Sequence, residues 1–88
     1  MYTEDLVVKN KTGFHARPAS QLTKFAQQFK SEVVVFIAEG SKEVNLKSVI
    51  SILSAQIKQG TEIELRVSGP DEETAGPALA EFINSLTE

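Results

Sequence analysis

The chain has 88 residues, a net charge of −3, one histidine and no cysteine, so it is sized for one packed domain and excludes disulfides, thiolate zinc sites and cysteine catalysis. A lone histidine offers no set of imidazoles for a metal centre, and no cofactor is expected. No apolar run is long enough to span a bilayer and no charged-then-apolar leader occupies positions 1–8, so the chain reads as soluble, cytoplasmic and not inserted in a membrane. Acids gather at Asp71-Glu72-Glu73; this argues against general nucleic-acid affinity, which needs a basic stripe, and leaves room for a local basic patch around Arg17 and Lys24.

Tyr2–Lys9, through Leu6-Val7-Val8, predicts a strand whose register stays open because both faces carry apolar residues. Asn10-Lys11-Thr12-Gly13 is a turn by composition. Helical spacing follows: Leu22, Phe25, Ala26 and Phe29 form one stripe, with Gln21, Lys24, Gln27 and Gln28 facing water. Pro18 falls in the first turn, where its missing N–H does no harm. Glu32–Ala38 is rich in β-branched residues and predicts a strand, Glu39-Gly40-Ser41 a hairpin turn, and Lys42–Leu46 a short returning strand. Ser48 then opens a helix bearing Val49, Ile50, Ile52, Leu53 and Ile57, with serines 48, 51 and 54 opposite and Gly60 as its expected stop.

Glu62–Val67 alternates cleanly, with Ile63, Leu65 and Val67 inward, as in a strand with one wet face. Ser68-Gly69-Pro70 is a turn. The acids at 71–73 suit a helix start, and Ala75, Leu79, Phe82, Ile83 and Leu86 form the last stripe. Gly76-Pro77 lies inside that helix. An interior proline costs roughly 3 kcal/mol and one hydrogen bond. The expectation is therefore a short first turn, a distortion near Glu73, and regular helix from about Pro77. The order βαββαβα describes an α+β two-layer domain, its sheet antiparallel or mixed and covered on one face.

The chemistry concentrates at Gly13-Phe14-His15-Ala16-Arg17-Pro18-Ala19-Ser20. Neutral imidazole is present at cytoplasmic pH and is a nucleophile able to accept a phosphoryl group. The phosphate so formed needs donors. Arg17 can supply a guanidinium fork, and the backbone N–H groups of Ala16 and Arg17, with the helix dipole behind them, can supply more. Neither residue is a good N-cap, so those amides are left for water or an incoming anion, and Gly13 permits close backbone approach just upstream. The competing reading is a solvated histidine beside a surface arginine.

The octapeptide 13–20 resembles the active-site signature of the HPr family, the histidine-containing phosphocarriers of the bacterial phosphoenolpyruvate-dependent sugar phosphotransferase system. Val44-Asn45-Leu46-Lys47-Ser48-Val49-Ile50 resembles the family's regulatory-serine region, and 60–65 and 69–73 resemble its last strand and the entry to its last helix. The resemblance covers essentially the whole chain. It implies an HPr-like open-faced β-sandwich, with a four-stranded antiparallel sheet and three helices on one face. It also implies phosphoryl transfer from phospho-Enzyme I to Nδ1 of His15 and on to Enzyme IIA domains, with Arg17 assisting, in a carrier that is itself no enzyme and acts as a monomer. Three departures stand out: Phe14 where smaller aliphatics are usual, the run Val49–Gln56 in place of a methionine-containing one, and the Gly76-Pro77 pair.

In many Gram-positive relatives an HPr kinase/phosphorylase modifies the serine matching Ser48. The residue itself reads first as an N-cap, although a phosphate at a helix start would be tolerated. On a helix, Val49, Ile50, Ile52, Leu53 and Ile57 span about 160°, more than the roughly 100° a core stripe uses. One edge, Ile50 with Val49 or Leu53, should therefore stay exposed and is a candidate docking surface. Two further readings remain: a nitrogen-related regulatory paralogue feeding a different IIA partner, and a Ser48-dependent co-regulatory interaction protein.

Overall fold

The computed structural model describes residues 1–37 and 42–86; the turn expected at Glu39-Gly40-Ser41 lies outside these residues. The elements run β1 (Tyr2–Val7), α1 (Ala16–Ala26), β2 (Glu32–Ile37), β3 (Lys42–Asn45), α2 (Val49–Ala55), β4 (Glu62–Ser68) and α3 (Glu72–Ser85). The alternation read in β4 is realised: Ile63, Leu65 and Val67 are buried while Glu64 and Arg66 turn to the other face. The same parity holds in β2, where Val33 and Val35 go inward and Val34 and Phe36 outward. Because side chains alternate with period two, these choices make one apolar face and one polar face.

All strand pairs are antiparallel, in the order β1-β4-β2-β3. The register of β1, open from sequence, is settled by its pairing with β4, which sets Leu6 opposite Ile63 and Glu4 opposite Leu65. Leu6 is therefore buried and Val7 exposed. On the open face Arg66 is flanked by Thr3 and Val34, its guanidinium lies 4.0 Å from the Phe36 ring centroid, and it donates to Glu64. The helices cover the opposite face. Leu22, Ile52, Leu79 and Ile83 join Leu65, Val35 and Val44 in one core. Phe25 stacks on Phe82 at 4.6 Å and meets Phe29 edge-on at 5.4 Å, joining α1 to α3.

Two sequence expectations are corrected. The second helix does not run to Gly60. It ends at Ala55, and Gln56 adopts a left-handed conformation (φ 54°) that caps it. The early stop has a structural reason, since it turns the chain so that the Ile57 carbonyl accepts the Phe14 N–H at 3.0 Å. The last helix is not broken near Glu73 either: α3 is continuous from Glu72 through Pro77 to Ser85. Proline disfavours helical geometry in the preceding residue partly through that residue's Cβ. Gly76 has none, and a Cβ there would run into the Tyr2 ring. The same glycine thus eases the proline into the helix and lets α3 close over β1.

Candidate functional site

The loop joining β1 to α1 is fixed before it reaches His15. Val8 N–H bonds to the Thr61 carbonyl at 3.0 Å, and Gly60 N–H returns to the Val8 carbonyl at 2.8 Å. Gln59 Nε2 donates to the Lys9 carbonyl at 3.0 Å. Gly13 has φ +63°, and a Cβ there would overlap the Ile57 carbonyl oxygen and lie 2.8 Å from Lys58 Cα. Only glycine meets both the left-handed conformation and that approach. Phe14 is 2% exposed; this departure from the usual small aliphatic serves as an apolar anchor, worth about 1.5–3 kcal/mol of burial.

His15 itself is exposed and extended (φ −82°, ψ −170°). It is the N-cap of α1, and its side chain makes no capping hydrogen bond. Its carbonyl accepts from Ala19 at 2.8 Å. The amides of Ala16 and Arg17 therefore occupy the first turn, followed by Pro18, which has none to offer. The first turn holds no acidic residue, and Arg17 is exposed beside it. The helix start thus holds backbone donors beside an exposed arginine, with an exposed imidazole at its head that makes no capping bond.

Charge is unevenly distributed along the chain. Segments 6–31 and 44–61 hold seven of the nine lysines and arginines and none of the twelve acids. These segments carry α1 and α2, and their cations are spread along them: Arg17 is exposed at the head of α1 and Lys24 lies in its last turn, Lys47 reaches the Phe29 carbonyl, and Lys30 lies beside Asp71.

Ser48 caps α2, its hydroxyl accepting from Ser51 N–H at 3.2 Å, and is half-buried. Along α2, Ile52 is buried, Val49 is half-buried, and Ile50 and Leu53 are 77% and 39% exposed. The wide apolar arc does leave an edge uncovered. Lys47, given no contact of its own by the sequence, donates from Nζ to the Phe29 carbonyl at 2.7 Å, while Gln27 Nε2 reaches the Lys47 carbonyl at 3.3 Å. That exchange ties the end of α1 to the start of α2. Asn10, which composition marked only as a turn residue, is buried at the base of the His15 loop. The Lys47 contacts could not be read from spacing, because their partners are brought in by folding.

An open-faced α+β sandwich bearing an exposed histidine at the head of its first helix defines a class of small domain that carries one exposed imidazole. The family model described as the PTS HPr component phosphorylation site matches residues 2–85, and the chain belongs to the HPr family of phosphocarriers. It is 40% identical over 86 residues to the phosphocarrier protein HPr of Lysinibacillus sphaericus, covering 98% of this chain and 96% of that protein. It is 41% identical over 83 residues to the HPr-like protein Crh of Halalkalibacterium halodurans, covering 94% and 96%. A crystal structure of HPr from Thermoanaerobacter tengcongensis superposes with a TM-score of 0.90 at 40% identity, covering 97% of this chain and 93% of that one.

Proposed function

We propose that His15 accepts a phosphoryl group from phosphorylated Enzyme I and passes it to Enzyme IIA domains in sugar uptake. The Nδ1 lone pair forms the new N–P bond while the donor's bond to phosphorus breaks, its electron pair leaving with the donor atom. Delivery to the IIA acceptor reverses the sequence, so no net oxidation or reduction occurs. Arg17 holds the phosphoryl oxygens with its guanidinium fork, aided by the helix-start amides of Ala16 and Arg17 and the positive end of the dipole. The carrying observation is the uncapped, acid-free start of α1 headed by an exposed imidazole. The partners supply the remaining catalytic groups.

The exposed edge of α2, Ile50 and Leu53 with Val49 beside them, is the proposed docking surface. A second reading adds regulation. Ser48 heads α2 beside this edge, so phosphorylation by a kinase of the HPr type would place negative charge on the docking surface and oppose an acidic partner. The carrier is proposed to work as a monomer in the cytoplasm. Relatives solved as dimers make light scattering of this chain the direct check. Among the described residues no helix is long and apolar enough to cross a membrane.

The test is incubation with Enzyme I and labelled phosphoenolpyruvate. An acid-labile, base-stable label mapping to His15 is expected, and a label persisting in His15→Ala would refute the site. Transfer kinetics with sugar-specific and nitrogen-related IIA proteins separate the proposed role from that of a regulatory paralogue.

A further inference from the structure

His15 has no side-chain capping bond of its own, so its placement depends on the backbone that delivers it. The decisive unit is the peptide joining Gly13 to Phe14, and both of its polar atoms are held. Its N–H, on Phe14, donates to the Ile57 carbonyl at 3.0 Å. Its carbonyl oxygen, on Gly13, accepts from Asn10 Nδ2 at 2.5 Å. Asn10 closes the same turn a second time, its own carbonyl accepting the Gly13 N–H at 3.1 Å. The residue is only 3% exposed, so its amide contacts are screened from water, and a buried polar contact of this kind resists rearrangement.

We infer that Asn10 is a positioning residue for phosphoryl transfer: it pins the Gly13–Phe14 peptide plane from the side opposite Ile57 and thereby aims the His15 ring. This rests on the function proposed above. The Ile57 bond alone leaves that peptide free to tilt about its N–H. The left-handed backbone at Gly13 has no Cβ to resist the tilt, and the imidazole two residues on would swing with it. The bond from Asn10 removes that freedom. Asn10 touches no reacting atom, so its loss should change the reaction rate and leave partner docking intact. Misplacement of a reacting group by about 1 Å can cost on the order of a hundredfold in rate.

The experiment compares wild type, Asn10→Asp, Asn10→Ala and Ile83→Val in Enzyme I-dependent labelling, with KM and kcat measured separately. Asn10→Asp keeps size and shape but removes the donor to the Gly13 carbonyl. Ile83→Val destabilises α3 away from the loop. Expected are a kcat lower by about ten- to a hundredfold in both Asn10 variants, an unchanged KM, and normal turnover in Ile83→Val. Turnover in the Asn10 variants equal to that control would overturn the inference, as would an effect on KM alone. Wild type unlabelled at His15 would instead refute the proposed function and remove this inference with it, a result distinct from normal transfer by the variants. Should the variants fail to fold, the side-chain amide protons of Asn10 in wild type decide: slowed exchange supports the pin, and exchange at the rate of a solvated amide refutes it.

Discussion

Two helix N-termini in this small domain are finished in opposite ways. The start of α3 is bound into the fold. Asp71 accepts from the backbone N–H groups of Lys30 at 2.8 Å and Ser31 at 2.9 Å, and from the Ser31 hydroxyl. Glu72 accepts from Gly69 N–H at 3.1 Å and pairs with the Met1 amino group at 2.5 Å. Glu73 adds a third acid at that end. Neither N-cap side chain, Asp71 or His15, makes a capping bond within its own helix, but the start of α1 has no acid in its first turn. An acid in a helix first turn is favourable, so its absence at α1 forgoes local stability of order 1 kcal/mol. The contrast teaches that α3 is terminated for folding, whereas α1 is left suited to an external anion.

The largest test of that contrast is His15→Ala, which should abolish the phosphohistidine label with little change in melting temperature, because the ring is exposed and makes no capping bond. Arg17→Ala should follow, with transfer slowed by roughly ten- to a hundredfold through the loss of charge-assisted hydrogen bonds. Transfer by Arg17→Ala at the wild-type rate would show that the α1 start alone holds the phosphoryl group. Gly13→Ala should cost about 2 kcal/mol or more in stability, since it forces a side chain into left-handed backbone and onto the Ile57 carbonyl. Calorimetry reads that loss directly.

At the α3 end the expected effect is on stability alone. The Ser31 hydroxyl, then the Lys30 amide, hold the Asp71 carboxyl below its ordinary range, and the Met1 amino group, then the Gly69 amide, do the same for Glu72. For carboxyls with lowered folded-state pKa values, the stabilisation is complete above the ordinary carboxylate range, near pH 4. It is lost as the pH falls through the folded values. Wild type should therefore lose melting temperature on acidification below about pH 4, and Asp71→Asn should start lower and lose less. Its phosphoryl transfer should match wild type; slowed transfer would break the division of labour between the two helix starts. The smallest effect belongs to Ile50→Ser, within about 0.5 kcal/mol in stability because the side chain is already in water, with weaker partner binding as its only phenotype.

The parts of the site legible in the sequence were local. His15, Arg17 and Pro18 sit within four positions, and a helix start is a contiguous object. The Ser48 cap and the over-wide apolar arc of α2 could be read for the same reason. Asn10 lies three positions from Gly13, and what its turn composition did not show is its burial. The other parts that were not legible depend on residues far apart in the chain. Ala55 ends α2 because Phe14, some forty positions away, needs the Ile57 carbonyl. The continuity of α3 through Pro77 follows from contact between Gly76 and Tyr2 across the length of the chain.

Periodicity by itself determined the element order and the inward face of β4, and the residue types at 13–20 marked the head of α1 as the candidate place for chemistry, since each depends on residues within one or two turns or pleats. Composition alone removed thiol chemistry and made a histidine-based metal site unlikely. Only the tertiary structure decided the strand order β1-β4-β2-β3 and the register of β1, because a strand's own pattern names its faces but not its neighbour. It also decided that the Phe14 N–H would meet the Ile57 carbonyl and that Lys47 would reach the end of α1. Such arrangements join groups distant in sequence, and only packing brings them within hydrogen-bonding distance.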